Sequence, residues 1–155
     1  MLKGENMYQC YPIPATGEAG FVRSMVVMTT THSPQRFFDT YARALSDLDL
    51  ERIADCYHYP SLAVSRLGCL AIEKPAQTRD FFAANGTQYK ERGIDSVRIV
   101  NLRPSYDADG LWVGLADLEN LDAEGTVVGT EHNAYQLVAG DDGWSIAVTT
   151  PLDAR

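Results

Sequence analysis

The residues best suited to chemistry lie in the last third of the chain, where Asp117, Glu131 and Asn133 interrupt runs of Leu, Val, Ala and Tyr. The stretch from Leu121 to Val127 reads as a hairpin with a three-residue loop, Ala123, Glu124 and Gly125. Gly125 takes the left-handed position, so Asp122 faces Thr126. Counting back from that pair sets Asp117 opposite Glu131, Leu115 opposite Asn133 and Val113 opposite Tyr135, all on one face. Two opposed carboxylates repel, and a dry setting makes one of them hold its proton near neutral pH, as an acid/base carrier must. The competing readings are a register one residue different, or two carboxylates that both face water.

Other chemistry is sparse. His58, in the run Tyr57-His58-Tyr59-Pro60, has the residue type for proton transfer near pH 7, and a solvated histidine at a helix end is the simpler reading. His132 adjoins Asn133 and so points to the opposite side of a strand. With His32 far away, the three histidines have no metal-binding spacing, and no metal or other cofactor is expected. Cys10, Cys56 and Cys69 are odd in number and lack a CxxC spacing, which disfavours a disulfide framework or a zinc site. There is no glycine-rich phosphate loop, no GxSxG elbow and no Cys/His nucleophile pattern.

The elements that must position these residues follow from periodicity. Ser33-Pro34 is a helix start, and Phe37, Phe38, Tyr41, Ala42 and Leu45 then mark one apolar helical face. Asp49 caps a second helix with Leu50, Ile53, Ala54 and Tyr57 on its stripe, stopped by Pro60. Residues 61–73 read as a short hairpin or a bent strand around Gly68. A third helix spans Pro75 to about Arg92, with Phe81, Phe82 and Tyr89 as its bulk and Gly93 as its stop. Residues 94–103, 111–121, 126–138 and 143–150 form four strands separated by Asp/Gly turns. The result is an α+β domain over residues 29–155: three helices, then a four-strand meander. Residues 1–28, without periodicity, read as an arm or an overlong start.

Composition narrows the partners. The chain has 155 residues, enough to bury a full core, and a net charge of -8. Its last 45 residues carry eight acidic groups and one basic one, Arg155. That balance argues against nucleic acid and anionic membrane surfaces as partners, and against phosphate-bearing ligands on the sheet. No run approaches the length of a membrane span or a signal-peptide core, so a cytoplasmic location is expected.

The run FFDTYARALSDLDLERIADCY, the helix from Pro75, and the closing TVVGTEHNAYQLV and GWSIAV resemble the nuclear transport factor two-like superfamily, which includes ketosteroid isomerase and the SnoaL-like polyketide cyclases. The resemblance covers about residues 33–150. It implies a curved antiparallel sheet forming a cone around a long N-terminal helix, a pocket between them, and a homodimer through the outer sheet face. Tyr41 falls at the isomerase's oxyanion-binding tyrosine, and the second oxyanion donor falls at or beside Asn133. The general base falls at Ser65, which cannot be a carboxylate, so the isomerase reaction itself is disfavoured. Asp117 or Glu131 would replace that base. Tyr57, His58, Ser65, Phe82 and Tyr135 are the expected ligand contacts, and Trp112, Ala116, Leu118, Ala134 and His132 the outer, dimer-facing set. Two functions follow: a small-molecule pocket protein with isomerase, cyclase or dehydratase chemistry, or a non-catalytic dimer module with a filled cone.

Overall fold

Helix starts fall where the caps and prolines put them. In the computed structural model, which describes residues 33–152, α1 (Pro34–Asp47) begins with the Ser33 hydroxyl accepting from the Arg36 N–H at 3.2 Å. Asp49 caps the one-and-a-half turns of α2 (Leu50–Asp55) in the same way. The longest helix is α3 (Pro75–Glu91), not α1. The expected arm at 1–28 lies outside the described residues, as do Cys10 and His32.

Six strands follow these helices or lie between them: β1 (Tyr57–Ser65), β2 (Gly68–Ile72), β3 (Ser96–Ala108), β4 (Leu111–Leu121), β5 (Val127–Gly140) and β6 (Gly143–Leu152). The expected meander is β3 to β6, and the hairpin before α3 supplies two more strands. Tyr57 opens β1 instead of closing α2, and Pro60 lies inside that strand. The spatial order is β2-β1-β6-β5-β4-β3, with β1 parallel to β6 and every other pair antiparallel.

The hairpin of β4 and β5 has the expected turn and an unexpected register. Asp122 N–H donates to Thr126 O at 2.9 Å, and Gly125 has φ 80. Leu121 then pairs with Val127, but Asn120 pairs with Gly129, which leaves Val128 as a bulge. Beyond it every partner moves by one: Asp117 faces His132, Ala116 faces Asn133 and Leu118 faces Glu131. The expected Asp117–Glu131 opposition is therefore incorrect, and the two carboxylates lie on opposite faces.

The inner face carries the core. Trp112, Ala116 and Leu118, expected on the outer face, are buried against the helices, and Ala134 remains outside. Phe38 meets Trp112 and Tyr135 edge-on at ring distances of 5.3 and 5.2 Å, contacts that add about 0.5–1.5 kcal/mol each to plain burial. Ser46 ties the end of α1 to β3, its hydroxyl accepting from Val97 N–H and donating to Val97 O. Among the described residues no helix is long and apolar enough to cross a membrane.

Gly114 marks a close approach of strands. A Cβ there would lie 2.6 Å from Arg103 O and 2.9 Å from Pro104 Cα, both backbone atoms that cannot swing aside. Gly114→Ala should lower stability by about 1–3 kcal/mol in urea unfolding. Gly129→Ala, whose Cβ would meet nothing closer than 3.6 Å, should lose nothing comparable.

Candidate functional site

Parity along β4 and β5 divides the polar residues between two environments. On the outer face the Asp117 carboxylate, only 6% exposed, accepts from Arg103 (Nη2 to Oδ1, 2.9 Å) and from Asn101 Nδ2 at 3.1 Å, and lies 2.7 Å from His132 Nδ1. Arg103, then His132, hold its pKa well below the usual carboxylate range, against the opposing effect of desolvation. Asp117 does not line the inner cavity. It is the anchor of a surface network, contrary to the expectation of a proton carrier.

The inner face opens into a cavity of about 300 Å³ between the sheet, the β1–β2 hairpin and α3. Of the expected site residues, Tyr41, Tyr57, Phe82, Glu131, Asn133 and Tyr135 line it. Glu131, Asn133 and Tyr135 do so because they alternate along one side of β5. His58 and Ser65 do not. His58 is exposed and its Nδ1 lies 3.1 Å from Pro60 O, while Ser65 sits at the hairpin turn, where its hydroxyl accepts from Leu67 N–H. The ungapped count that brought Ser65 into the site runs past the point where β1 turns into β2.

The polar groups of the cavity are organised. Tyr41 and Tyr57 hydroxyls lie 3.0 Å apart. Whichever donates, the pair has a second O–H to offer, and Tyr135 is a further hydrogen-bonding neighbour of Tyr41. Burial raises the pKa of Tyr41, Tyr57 and Tyr135 above the usual tyrosine value, so all three stay protonated as donors at neutral pH. Tyr89, from α3, is pushed up to about 12 by desolvation and by the carboxylate of Glu131, to which it donates at 3.3 Å. Asn120, fully buried on β4, donates to the same oxygen at 2.9 Å.

Several lining residues were absent from the expected set: Gln77, Thr78, Asn85, Thr149 and Tyr89, with Asn120 behind Glu131. Tyr89 had a usable signal, because Phe82, Gly86 and Tyr89 recur at helical spacing on one face of α3. Asn120 follows from parity with Leu118 once the bulge is known. A second, more open cavity of about 410 Å³ lies among Arg36, Phe37, Arg52, Asp55 and Trp144. It gathers none of the expected site residues; Cys56 is part of its lining, with a thiol that burial pushes up to about 12. Among the described residues no three His, Cys, Asp or Glu side chains gather as a metal site.

Comparison with known proteins agrees with this architecture. The family model described as NTF2-like protein (DUF6841) matches residues 33–154. No curated protein matches. Solved structures similar to this chain include a protein of unknown function from Mycobacterium tuberculosis, with 18% identity, TM-score 0.59, and 78% of this chain and 69% of that one covered. A cystatin-like domain of unknown function from Nostoc punctiforme is similar at 16% identity and TM-score 0.59, covering 78% and 75%. An NTF2-like protein with a cystatin-like fold from Novosphingobium aromaticivorans has 11% identity and TM-score 0.59, covering 78% and 80%. At these identities the likeness is one of fold.

Because its folded pKa is depressed, Asp117 adds stability above the unfolded carboxylate value of about 4, and that contribution is lost as pH falls through the folded value. Asp117→Asn should therefore lower Tm at pH 7, and the gap from the native protein should shrink in scans taken progressively below pH ~4.

Proposed function

Because the chain belongs to the NTF2-like protein (DUF6841) family, we propose that it is a ligand-binding member whose cone-like space between sheet and helices takes a small, largely apolar, neutral or cationic molecule. One observation carries this reading: a cavity of about 300 Å³ remains open although Tyr57, Phe82 and Tyr135 line it, and a carboxylate, three amides and tyrosine hydroxyls converge on it. A structural dimer module with a filled cone would leave no such volume.

Turnover in this cavity, whether isomerisation, cyclisation or dehydration of the SnoaL-like or ketosteroid isomerase-like kind, runs through Glu131. It is the one carboxylate among the lining residues, and its position supports a role as proton acceptor. Asn133 and the tyrosine hydroxyls of the Tyr41, Tyr57 and Tyr135 cluster supply donors to a developing oxyanion without any change of charge. The same reading includes a homodimer through the outer sheet face. Tyr106 and Leu152 support it, being exposed there beside Val113, Leu115 and Ala134. A cytoplasmic location is supported by the unpaired Cys56 and Cys69.

Native mass spectrometry of the protein as purified should give a dimer carrying a small-molecule adduct. The neutral dye phenylnaphthylamine should brighten on binding. Ala63→Trp, which fills the cavity from β1, should abolish that signal, and Ser65→Ala at the hairpin turn should leave it intact. A folded native protein that leaves the dye dark would count against the reading.

A further inference from the structure

Glu131 meets the cavity asymmetrically. Its Oε1 takes both hydrogen bonds, from Asn120 Nδ2 at 2.9 Å and from the Tyr89 hydroxyl at 3.3 Å. Its Oε2 has no hydrogen-bond partner among the described residues. Asn120 fixes the arrangement, because its amide is fully buried and only its NH2 end can face a carboxylate; its Oδ1 is left without a partner. The carboxylate is thus oriented by two donors on one oxygen, with the other oxygen free.

Among the described residues no Lys, Arg or His lines the cavity. The outer face has taken Arg103, which pairs with Asp117, and Arg92 lies beside Gly129 at the end of α3 without an ion pair to Glu131. The tyrosines around the cavity carry no charge at neutral pH. Among the described residues, the one formal charge in the lining is therefore negative. A ligand that covers Oε2 must supply a donor to it, or leave a desolvated charge unpaired, which is strongly unfavourable. An anionic ligand adds repulsion. A protonated amine restores the hydrogen bond in its strong, charge-assisted form, and the aromatic faces of Phe81, Phe82 and Tyr57 favour a cation nearby.

We propose that the cavity selects small amines, the ammonium group seated on Glu131 Oε2 and a flat apolar body lying toward Phe82, Tyr57 and Tyr135. The proposal rests on the reading of the cavity as a ligand site and adds the chemical class of its occupant.

Displacement of bound phenylnaphthylamine at pH 7 tests it with three compounds of one skeleton: naphthylmethylamine, naphthylmethanol and naphthoate, each substituted at the same ring position. The amine should displace the dye at about tenfold lower concentration than the alcohol, the worth of one charge-assisted hydrogen bond over a neutral one, and the carboxylate should be weakest. Glu131→Gln, which keeps the shape and both donors to Oε1, should bring amine and alcohol within about twofold. Equal displacement by amine and alcohol in the native protein overturns the proposal and leaves the ligand site standing. So does an amine preference that survives in Glu131→Gln. If neither the dye nor any of the three compounds binds the native protein, both readings fall together. The native-protein comparison is decisive by itself if the variant does not fold.

Discussion

One extra residue in β5 governs the placement of nearly everything else. With Val128 bulged out between the Leu121–Val127 and Asn120–Gly129 pairs, Trp112 and Tyr135 share a face. Phe38 can then fit edge-on against both. Without the bulge Val113 would stand opposite Tyr135, Trp112 would turn to the outer face, and the central aromatic contact of the core could not form. Bulges re-aim side chains in this way because a strand's two faces alternate residue by residue.

The same displacement gives two carboxylates of similar chemistry different surroundings. Asp117 is on the face reached by Arg103, Asn101 and His132, and its charge is compensated there. Glu131 is on the other face, where its hydrogen bonds come from uncharged donors, Asn120 and Tyr89. The shortage of basic residues in the last 45 positions thus has a local meaning. Arg103 on β3 serves the outer carboxylate, and among the described residues no basic side chain forms an ion pair with the inner one, Arg92 lying near it at the end of α3.

Much of the fold was legible because local signals and the global pattern agree. Ser33, Asp49, Pro34, Pro75 and Gly93 bound the helices as their side chains or conformations require, and the Asp/Gly turns separate the long strands where expected. The site was legible in its types more than in its arrangement. Glu131, Asn133 and Tyr135 share a strand face whatever the register, so they could be read together; the partner of Glu131 depended on the bulge, which no turn rule specifies. Asp117 was misassigned for that reason alone, and Trp112 with it. Tyr89 and Asn120 act through Glu131, and nothing in their own surroundings in the chain points to a carboxylate that is 42 and 11 residues away.

The parallel pairing of β1 with β6 has a consequence for how the molecule comes into being. Residues 57–65 sit in the sheet between a hairpin partner that follows at once and a strand, 143–152, that is the last to be synthesised. A ribosome-bound chain can form α1, α2, the β1–β2 hairpin and α3 early, but Phe38 has no Trp112 or Tyr135 to pack against until the meander arrives. The inner wall of the cavity is also completed last, since Thr149 and Pro151 belong to β6. Long-range closure of this kind slows folding and prolongs the exposure of apolar surface.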